Sequence, residues 1–310
     1  MESILLSIQG AIGYGLLWGL MALGVYITFR ILDIADLTVD GSFATGGIVC
    51  AVCINNGMNF LLAILLATLS GFLAGLITGV LHTKCKIPAI LAGILTQISL
   101  YSINLRIAGG SNVPMDSFSG IFKELTYATS INSKYVTLVV GLLFGAIVIG
   151  ICYWFFGTEI GCSIRATGNN EKMARAQSVN TNKMKIIGLM ISNGLIALSG
   201  ALVAQSDGVA DVKMGIGAIV IGLASIVIGE VLLAKKKGFI SVLIAIILGS
   251  VIYRIVVAIV LQMGLNTDDL KLLTAIIVGI ALTVPVLLSS HKQKSMYKKL
   301  TGQQEDNENA

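Results

Sequence analysis

The stretch LLAILLATLSGFLAGLITGVL, residues Leu61–Leu81, contains no charged side chain. The hydrocarbon core of a bilayer is about 30 Å thick, and roughly 20 mostly apolar residues in a helix are needed to cross it. Backbone polar groups in lipid have to be bonded within their own segment, so a single span of this kind is a helix. The stretch therefore predicts a transmembrane helix.

Comparable stretches recur along nearly the whole chain. Of the 310 residues, 55% are hydrophobic and only 12% are charged, and the mean hydropathy is +0.90. Soluble domains carry about 25% charged residues. We therefore expect an all-α, polytopic protein of the cell membrane with eight to nine transmembrane helices. The predicted spans are Ile8–Phe29, a shorter one at Gly41–Ile54, Leu61–Leu81, Ile87–Ile107, Tyr135–Phe156, Ile186–Ser206, Met214–Ala234, Phe239–Leu261 and Leu272–Leu288.

The distribution of Lys and Arg predicts the orientation. With the spans above, the side of loop 157–185 collects Arg30, Lys84, Lys86, Arg165, Lys172, Arg175, Lys183, Lys185, Lys235, Lys236, Lys237, Lys292, Lys294, Lys298 and Lys299. The opposite side receives Lys123, Lys134, Lys213 and Lys271. Because cytoplasmic loops are enriched in basic residues, we expect the N-terminus outside and the C-terminus inside. The basic excess thus indicates orientation and not a nucleic-acid site.

The domain organisation follows from the same pattern. Residues 1–290 are predicted to form one transmembrane domain that includes the cytoplasmic loop 157–185. Residues 291–310 are polar, and we expect a disordered cytoplasmic tail. The chain begins Met-Glu-Ser without the basic region of a signal peptide, so the first apolar stretch is expected to remain as a helix.

Residues suited to enzymatic chemistry are scarce. The two histidines, His82 and His291, belong to no His-Glu-x-x-His pattern, and Gly-x-Ser-x-Gly is absent. The five cysteines indicate neither a disulfide framework nor a metal site. There is also no Gly-x-x-x-x-Gly-Lys-[Ser/Thr] phosphate loop. We therefore expect no catalytic residue, no metal and no bound cofactor, and any ATP would be used by a separate chain.

Small residues form a stripe along one predicted helix. Ala63, Ala67, Gly71, Gly75 and Gly79 follow each other at a spacing of four, which places them on one face. Small residues let membrane helices approach closely, so Gly71, Gly75 and Gly79 are predicted to pack against a neighbour. Plain packing is the simpler interpretation; the alternative is a face that slides during transport.

Loop 157–185 is predicted to contain a short helix of its own. Asn169 or Asn170 can cap it, and Glu171 suits its first turn. Met173, Ala174, Ala176 and Gln177 then offer a small, mildly apolar surface that a partner groove on the cytoplasmic side would bury. An ordinary solvated loop helix is the alternative.

Polar residues at membrane depth are candidates for a translocation pathway, because they are costly unless they face a bundle interior or water. The candidates are Asp36, Asp40, Thr96, Gln97, Ser99, Asn104, Ser192 and Asn193. Asp36 and Asp40 flank the short span and could instead cap it. Arg106 and Arg254 fit no loop, and each polar residue could equally bond a neighbouring helix.

Three motifs resemble a known family. The run Gly161-x-x-x-Arg165-Ala166-Thr167-Gly168-x-Asn170-x-x-x-Ala174-Arg175, followed by Ser192-x-Gly194-x-x-Ala197-x-Ser199-Gly200, resembles the coupling-loop region of ABC permeases of the branched-chain amino acid and ribose type. The glycines from Gly215 to Gly229 resemble a later region of that family, with Glu230 in place of an expected glycine. Leu37–Phe43 resembles a subgroup linked to tryptophan and tyrosine uptake.

The resemblance, which covers about residues 8–290, implies the permease subunit of an ABC importer. It implies a separate ATPase subunit that uses ATP, an external solute-binding lipoprotein, and a second permease subunit, expected to be a second copy. The residues that would contact the ATPase are Arg165, Ala166, Gly168, Asn170, Glu171, Ala174 and Arg175. The solute would be a small molecule, most readily an amino acid of aromatic or hydrophobic character.

Another class of protein remains open at this stage. An ion-coupled secondary transporter would use broken helices and carboxylates near the membrane midplane. The short span is compatible with that class, whereas the scarcity of acidic residues in the spans argues against it. A membrane scaffold without transport would leave the coupling-like loop unexplained.

Overall fold

A computed structural model describes residues 2–115, 120–129, 133–232 and 238–262, with single residues between 272 and 283. The described part is almost entirely helical, which confirms the all-α prediction. Its elements are α1 Glu2–Tyr26, continued by a π-helical turn Ile27–Ile31, α2 Val39–Asn55, α3 Phe60–Thr83, α4 Ala89–Ala108, β1 Asn112–Pro114, α5 Ile121–Thr129, α6 Ser133–Gly157, α7 Glu159–Asn169, α8 Glu171–Ala176, α9 Thr181–Asp207, β2 Val209–Asp211, α10 Ala218–Leu232 and α11 Phe239–Gln262.

Six of the described helices are long and apolar enough to cross a membrane. They are Ser7–Ile31, Phe60–Thr83, Ala89–Ala108, Tyr135–Gly157, Thr181–Asp207 and Phe239–Gln262. The helices α2 and α10 are apolar but shorter. The predicted span Leu272–Leu288 lies outside the described residues except for single positions, and the predicted tail 291–310 lies outside them completely.

Three helices begin four to six residues away from the predicted starts of their spans, and α1 begins at Glu2 and not at Ile8. The helix α9 begins at Thr181 and not at Ile186, because the side-chain oxygen of Asn180 accepts the backbone N–H of Lys183 at 3.1 Å. The helix α10 begins at Ala218 and not at Met214. The residues before α10 form a short strand and turns. The strand β2 pairs antiparallel with β1, with Val113 opposite Ala210, and the turns connect β2 to α10.

The core of the bundle is built around α1 and α9. About three quarters of their apolar windows are buried, 78% and 72%, against 33% for α3 and α6 and 28% for α4. The predicted small-residue stripe of α3 lies against α9. A side chain at Gly71 or Gly75 would collide with the backbone carbonyl of Asn193 or Leu189, respectively, and Gly79 faces Ile186. The stripe therefore sets how closely these two helices approach.

Candidate functional site

Two short helices, where one was predicted, connect α6 to α9 on the predicted cytoplasmic side. The first, α7, is capped by Thr158, whose hydroxyl accepts the N–H of Gly161 at 3.3 Å. The second, α8, is capped by Asn170, whose side-chain oxygen accepts the N–H of Met173 at 3.1 Å. Asn170 is thus the capping residue, and Asn169 is instead the last residue of α7.

The helix α7 packs tightly against the end of the first transmembrane helix. A side chain at Gly168 would collide with the backbone carbonyl of Ile31, so only glycine allows this contact. About one turn earlier in the helix, the guanidinium carbon of Arg165 lies 5.2 Å from the centre of the Phe239 ring, in cation–π geometry. Two predicted coupling residues, Gly168 and Arg165, therefore hold α7 in place.

The helix α8 is tied to α9 by an ion-pair cluster. The Glu171 carboxylate accepts hydrogen bonds from Lys185 Nζ at 2.9 Å and from an Arg175 terminal nitrogen at 2.6 Å. Arg175 Nε also donates to the Thr181 hydroxyl at 2.8 Å. The hydrogen bond from Lys185 is the largest cause that lowers the pKa of Glu171 below its usual value. The cluster therefore fixes α8 with an ionised carboxylate at neutral pH.

The outward surface of α8 combines one apolar side chain with polar neighbours. Met173 is 63% exposed, and Lys172, Ala176 and Gln177 are exposed around it. Ala174, which was predicted to belong to this surface, is buried and packs inward. Ala166 of α7 is also exposed. A large apolar side chain held outward on a fixed short helix is suited to a partner groove.

A cavity of about 690 Å³ lies between α7 and the end of α1, lined by Arg30, Asp33, Arg165 and Asn169 among others. Beside it, the guanidinium of Arg30 donates two hydrogen bonds to Glu230 near the end of α10. In the sequence, Glu230 stands out only as a residue in place of an expected glycine. The available signal was an isolated acid in an apolar run and an isolated base at the end of another span.

Four of the predicted pathway residues are buried and hydrogen-bonded to neighbouring helices. The Asn193 amide donates to Asp36 at 2.7 Å and accepts from the Ser42 hydroxyl at 2.6 Å. Thr96 is linked through Thr78 to Thr38 by hydroxyl contacts of 2.9 and 2.8 Å. Ser192 donates to the Gly24 carbonyl at 2.7 Å. These bonds join α1, α2, α3, α4 and α9, and none of the four residues reaches a described cavity.

Three further predicted pathway residues, Asp40, Gln97 and Asn104, line one cavity of about 230 Å³, and the eighth, Ser99, is exposed on α4. We call this the α4–α10 cavity; its walls are Asp40, Gly41, Gln97, Ile98, Tyr101, Asn104, Val212 and Ile216. The sequence suggested that Asp40 could cap its own short helix, α2, but its carboxylate bonds elsewhere. Its carboxylate accepts the N–H groups of Gly217 at 2.9 Å and Ile219 at 3.1 Å, and so caps α10. Chain segments 177 residues apart therefore meet here.

The helix α4, which forms one wall of this cavity, is unlike the other peripheral helices. It is the least buried of the six long helices and also the least hydrophobic, with a mean hydropathy of 1.3 against 2.5 for α3 and the α6 span. Ser99, Tyr101, Ser102 and Arg106 are exposed on it. Exposed polar residues are uncommon on a helix surface that faces hydrocarbon alone.

The described residues include no group of three or more His, Cys, Asp or Glu side chains that could hold a metal ion.

Arg254 lies within α11, and its guanidinium carbon is 4.2 Å from the ring centre of Trp18 and 4.6 Å from that of Tyr14. Arg106 is exposed in the last turn of α4. Both basic residues are thus accommodated without a loop.

The described chain is thus a bundle of apolar helices in which two short helices, α7 and α8, are held between α6 and α9. Residues 7–284 match the sequence model of the family described as branched-chain amino acid transport system, permease component. The chain belongs to this family, and it is a multi-pass plasma-membrane permease component of an ABC-type transport system.

Individual relatives support the same class. The chain is 45% identical over 263 residues to the tyrosine transport system permease protein of Clostridioides difficile, covering 85% of this chain and 86% of that one. It is 26% identical over 189 residues to the ribose import permease protein RbsC of Escherichia coli, and the match covers 58% of this chain and 56% of that one. The structure of PsaBC from Streptococcus pneumoniae in complex with Fab covers 89% of both chains with a TM-score of 0.50 at 17% identity, a likeness of fold.

Proposed function

We propose that this chain is the membrane subunit of an importer for aromatic amino acids, with L-tyrosine as the first candidate. The observation that carries the solute class is the 45% identity to a tyrosine transport permease along 85% of the chain. In this proposal an external lipoprotein delivers the solute, and a separate ATPase subunit binds and hydrolyses the ATP. The chain itself binds no cofactor.

The surface that contacts the ATPase is α8 together with the exposed part of α7. Met173 is its apolar centre, because it is 63% exposed on a helix that the Glu171 cluster holds rigid. A rigid helix transmits a displacement instead of absorbing it. ATP-driven closure of the ATPase pair would move this helix and shift the permease between outward-open and inward-open states.

The permease works as a dimer with a second copy in this proposal, and the solute passes between the copies. The support is α4, whose exposed face is too polar for lipid contact alone. A second copy placed against α4 would shield this face from hydrocarbon. It would also enclose the α4–α10 cavity at the interface.

Copurification and uptake test the proposal together. The tagged chain, expressed with the transport genes of its own genome, is expected to extract with an ATPase and to support ATP-dependent uptake of L-tyrosine. Met173→Asp should reduce both the amount of bound ATPase and the uptake, because a charge would enter an apolar contact. Met58→Asp is the matched control, since Met58 is 48% exposed at the opposite end of the bundle.

Arg175→Glu is a less direct probe of the same contact, because Arg175 pairs with Glu171 inside this chain. Reversing its charge would create an unpaired acidic side chain beside Glu171 and loosen α8 itself.

Uptake by the chain alone, driven by an ion gradient, would contradict the proposal and favour a secondary transporter.

A further inference from the structure

The buried amide of Asn104 lacks a hydrogen-bond partner. Asn104 is 1% exposed, and neither its nitrogen nor its oxygen finds a partner in the part of the chain that the structure describes. Such groups are rare, and leaving one unpaired costs about 1–3 kcal/mol. The amide of Asn193, which is equally buried, is different, because its nitrogen donates to Asp36 and its oxygen accepts from Ser42. Asn104 is one of the residues that line the α4–α10 cavity.

The same cavity contains a carboxylate that has acceptor capacity left. Each oxygen of Asp40 accepts one backbone N–H from the start of α10. A carboxylate has about four acceptor sites, so further donors can bind. The positive end of the α10 dipole stabilises the negative charge at this position. Gln97 adds a second amide to the wall.

These groups match a ligand that both donates and accepts hydrogen bonds. An ammonium group would donate to Asp40 and to the Asn104 oxygen, and a carboxylate would accept from the amide nitrogens of Asn104 and Gln97. A bare metal cation fits less well, because it would leave the Asn104 nitrogen unpaired. The zwitterionic head of an α-amino acid satisfies both ends of that amide.

The size of the cavity limits what it can hold. Sites for whole small molecules measure about 300–1,000 Å³, whereas this cavity measures about 230 Å³. Three of its lining residues, Ile98, Tyr101 and Ile216, are 62%, 41% and 53% exposed, and we assign the mouth of the cavity to them for that reason. The polar head of an amino acid therefore enters, while an apolar side chain remains at the mouth against these three residues.

We propose that the α4–α10 cavity is a binding site for the ammonium and carboxylate groups of an amino acid during its passage, with Asp40, Gln97 and Asn104 as its polar contacts. This inference rests on the proposed function. It assigns recognition inside the membrane to the permease, in addition to the selection that an external binding protein makes.

Asn104→Leu is the decisive variant, because it removes the unpaired amide at similar volume. Radiolabelled L-tyrosine uptake is measured in cells that contain the whole transport system. We expect the maximal rate to fall at least tenfold, while ATP hydrolysis by the purified complex in nanodiscs continues. Thermal stability of the purified chain should stay equal or rise, since the amide makes no hydrogen bond within the part of the chain that the structure describes. Thr68→Val on α3 is the matched control, because its hydroxyl bonds only within its own helix.

The outcomes separate the inference from the proposed function. If the parent takes up neither L-tyrosine nor L-tryptophan, the proposed function fails. If the parent takes up one of them and Asn104→Leu does so at the parental rate, the site is wrong and the function stands. A loss of stability in Asn104→Leu as large as that in Asn193→Leu would also overturn the site, because Asn104 would then be a structural residue.

Discussion

Arg30 and Glu230 form a two-point ion pair between the end of the first transmembrane helix and the end of α10. Arg30 Nε lies 2.8 Å from Glu230 Oε1, and a terminal nitrogen lies 2.6 Å from Oε2. The side chains are 54% and 33% exposed, so solvent screens the pair. Pairs of this exposure contribute about 0–1 kcal/mol.

Glu230→Gln should therefore change the free energy of unfolding by less than about 1 kcal/mol. The double variant Arg30→Glu with Glu230→Arg should return to the parental value, because it restores opposite charges. Chemical unfolding in detergent at low and high salt measures both. A loss of several kcal/mol in the single variant would show that the pair is shielded from solvent.

The Glu171 cluster should make α8 sensitive to acid. Because its pKa is lowered in the folded protein, Glu171 stabilises the fold above its unfolded pKa, near 4.5, and this contribution is lost as the pH falls through the folded pKa. Hydrogen exchange of residues 171–185 should accelerate as the pH drops below about 4.5, after correction for the intrinsic rate. In Glu171→Gln this additional acceleration should be absent; if it persists, another group is responsible.

Asn193→Leu should destabilise the bundle strongly. The substitution leaves the Asp36 carboxylate and the Ser42 hydroxyl, both buried, without the amide that bonds them. Unpaired buried groups cost about 1–3 kcal/mol each, and more when charged. The midpoint temperature of thermal denaturation of the purified chain, measured by size-exclusion chromatography after heating, should drop clearly. An unchanged midpoint would mean that water replaces the amide.

Glycine substitutions should separate contact from helix propensity. Gly75→Val places a side chain against the Leu189 carbonyl of α9, whereas Gly150→Val on α6 meets no atom within 4 Å. Overpacking costs about 1–3 kcal/mol, occasionally more. We expect Gly75→Val to lower yield and thermal stability while Gly150→Val behaves like the parent. Equal behaviour would show that α3 can move away from α9 without cost.

Native cysteines allow a test of the orientation. Cys85 and Cys162 are exposed, and both lie on the predicted cytoplasmic side. In a Cys53→Ser background, an impermeant maleimide should leave intact cells unlabelled and should label inverted membrane vesicles. Ser111→Cys, at an exposed position on the predicted outer side, should be labelled in intact cells. The reverse pattern would contradict the predicted orientation.

Apolar run length was sufficient to predict most helices, because each span is a local property of the sequence. Even the short helix α2 was predicted within two residues. The start of α10 was not, because Met214 and Ile216 continue the apolar run although the chain there forms turns. Asp40, distant in sequence, determines where that helix begins.

The candidate sites were predictable in residue type but not in role. Polar residues at membrane depth stood out, yet the sequence could not show that Asn193 is fully bonded and Asn104 is not. That difference depends on which helices surround each amide. In α8, the sequence indicated the helix and its cap, whereas the internal use of Glu171 and Arg175 became visible only once Lys185 was placed beside them.

The backbone between Ile31 and Asp40 connects the two candidate sites directly. Ile31 touches Gly168 of α7, and Asp40 holds the start of α10 at the cavity. A chain extends at most about 3.6 Å per residue, so this covalent link is no longer than about 32 Å. Asp36 anchors its middle to Asn193. A displacement of α7 by a partner would therefore reach the cavity carboxylate through one short covalent segment, which runs from the last residue of the first span to the first turn of α2.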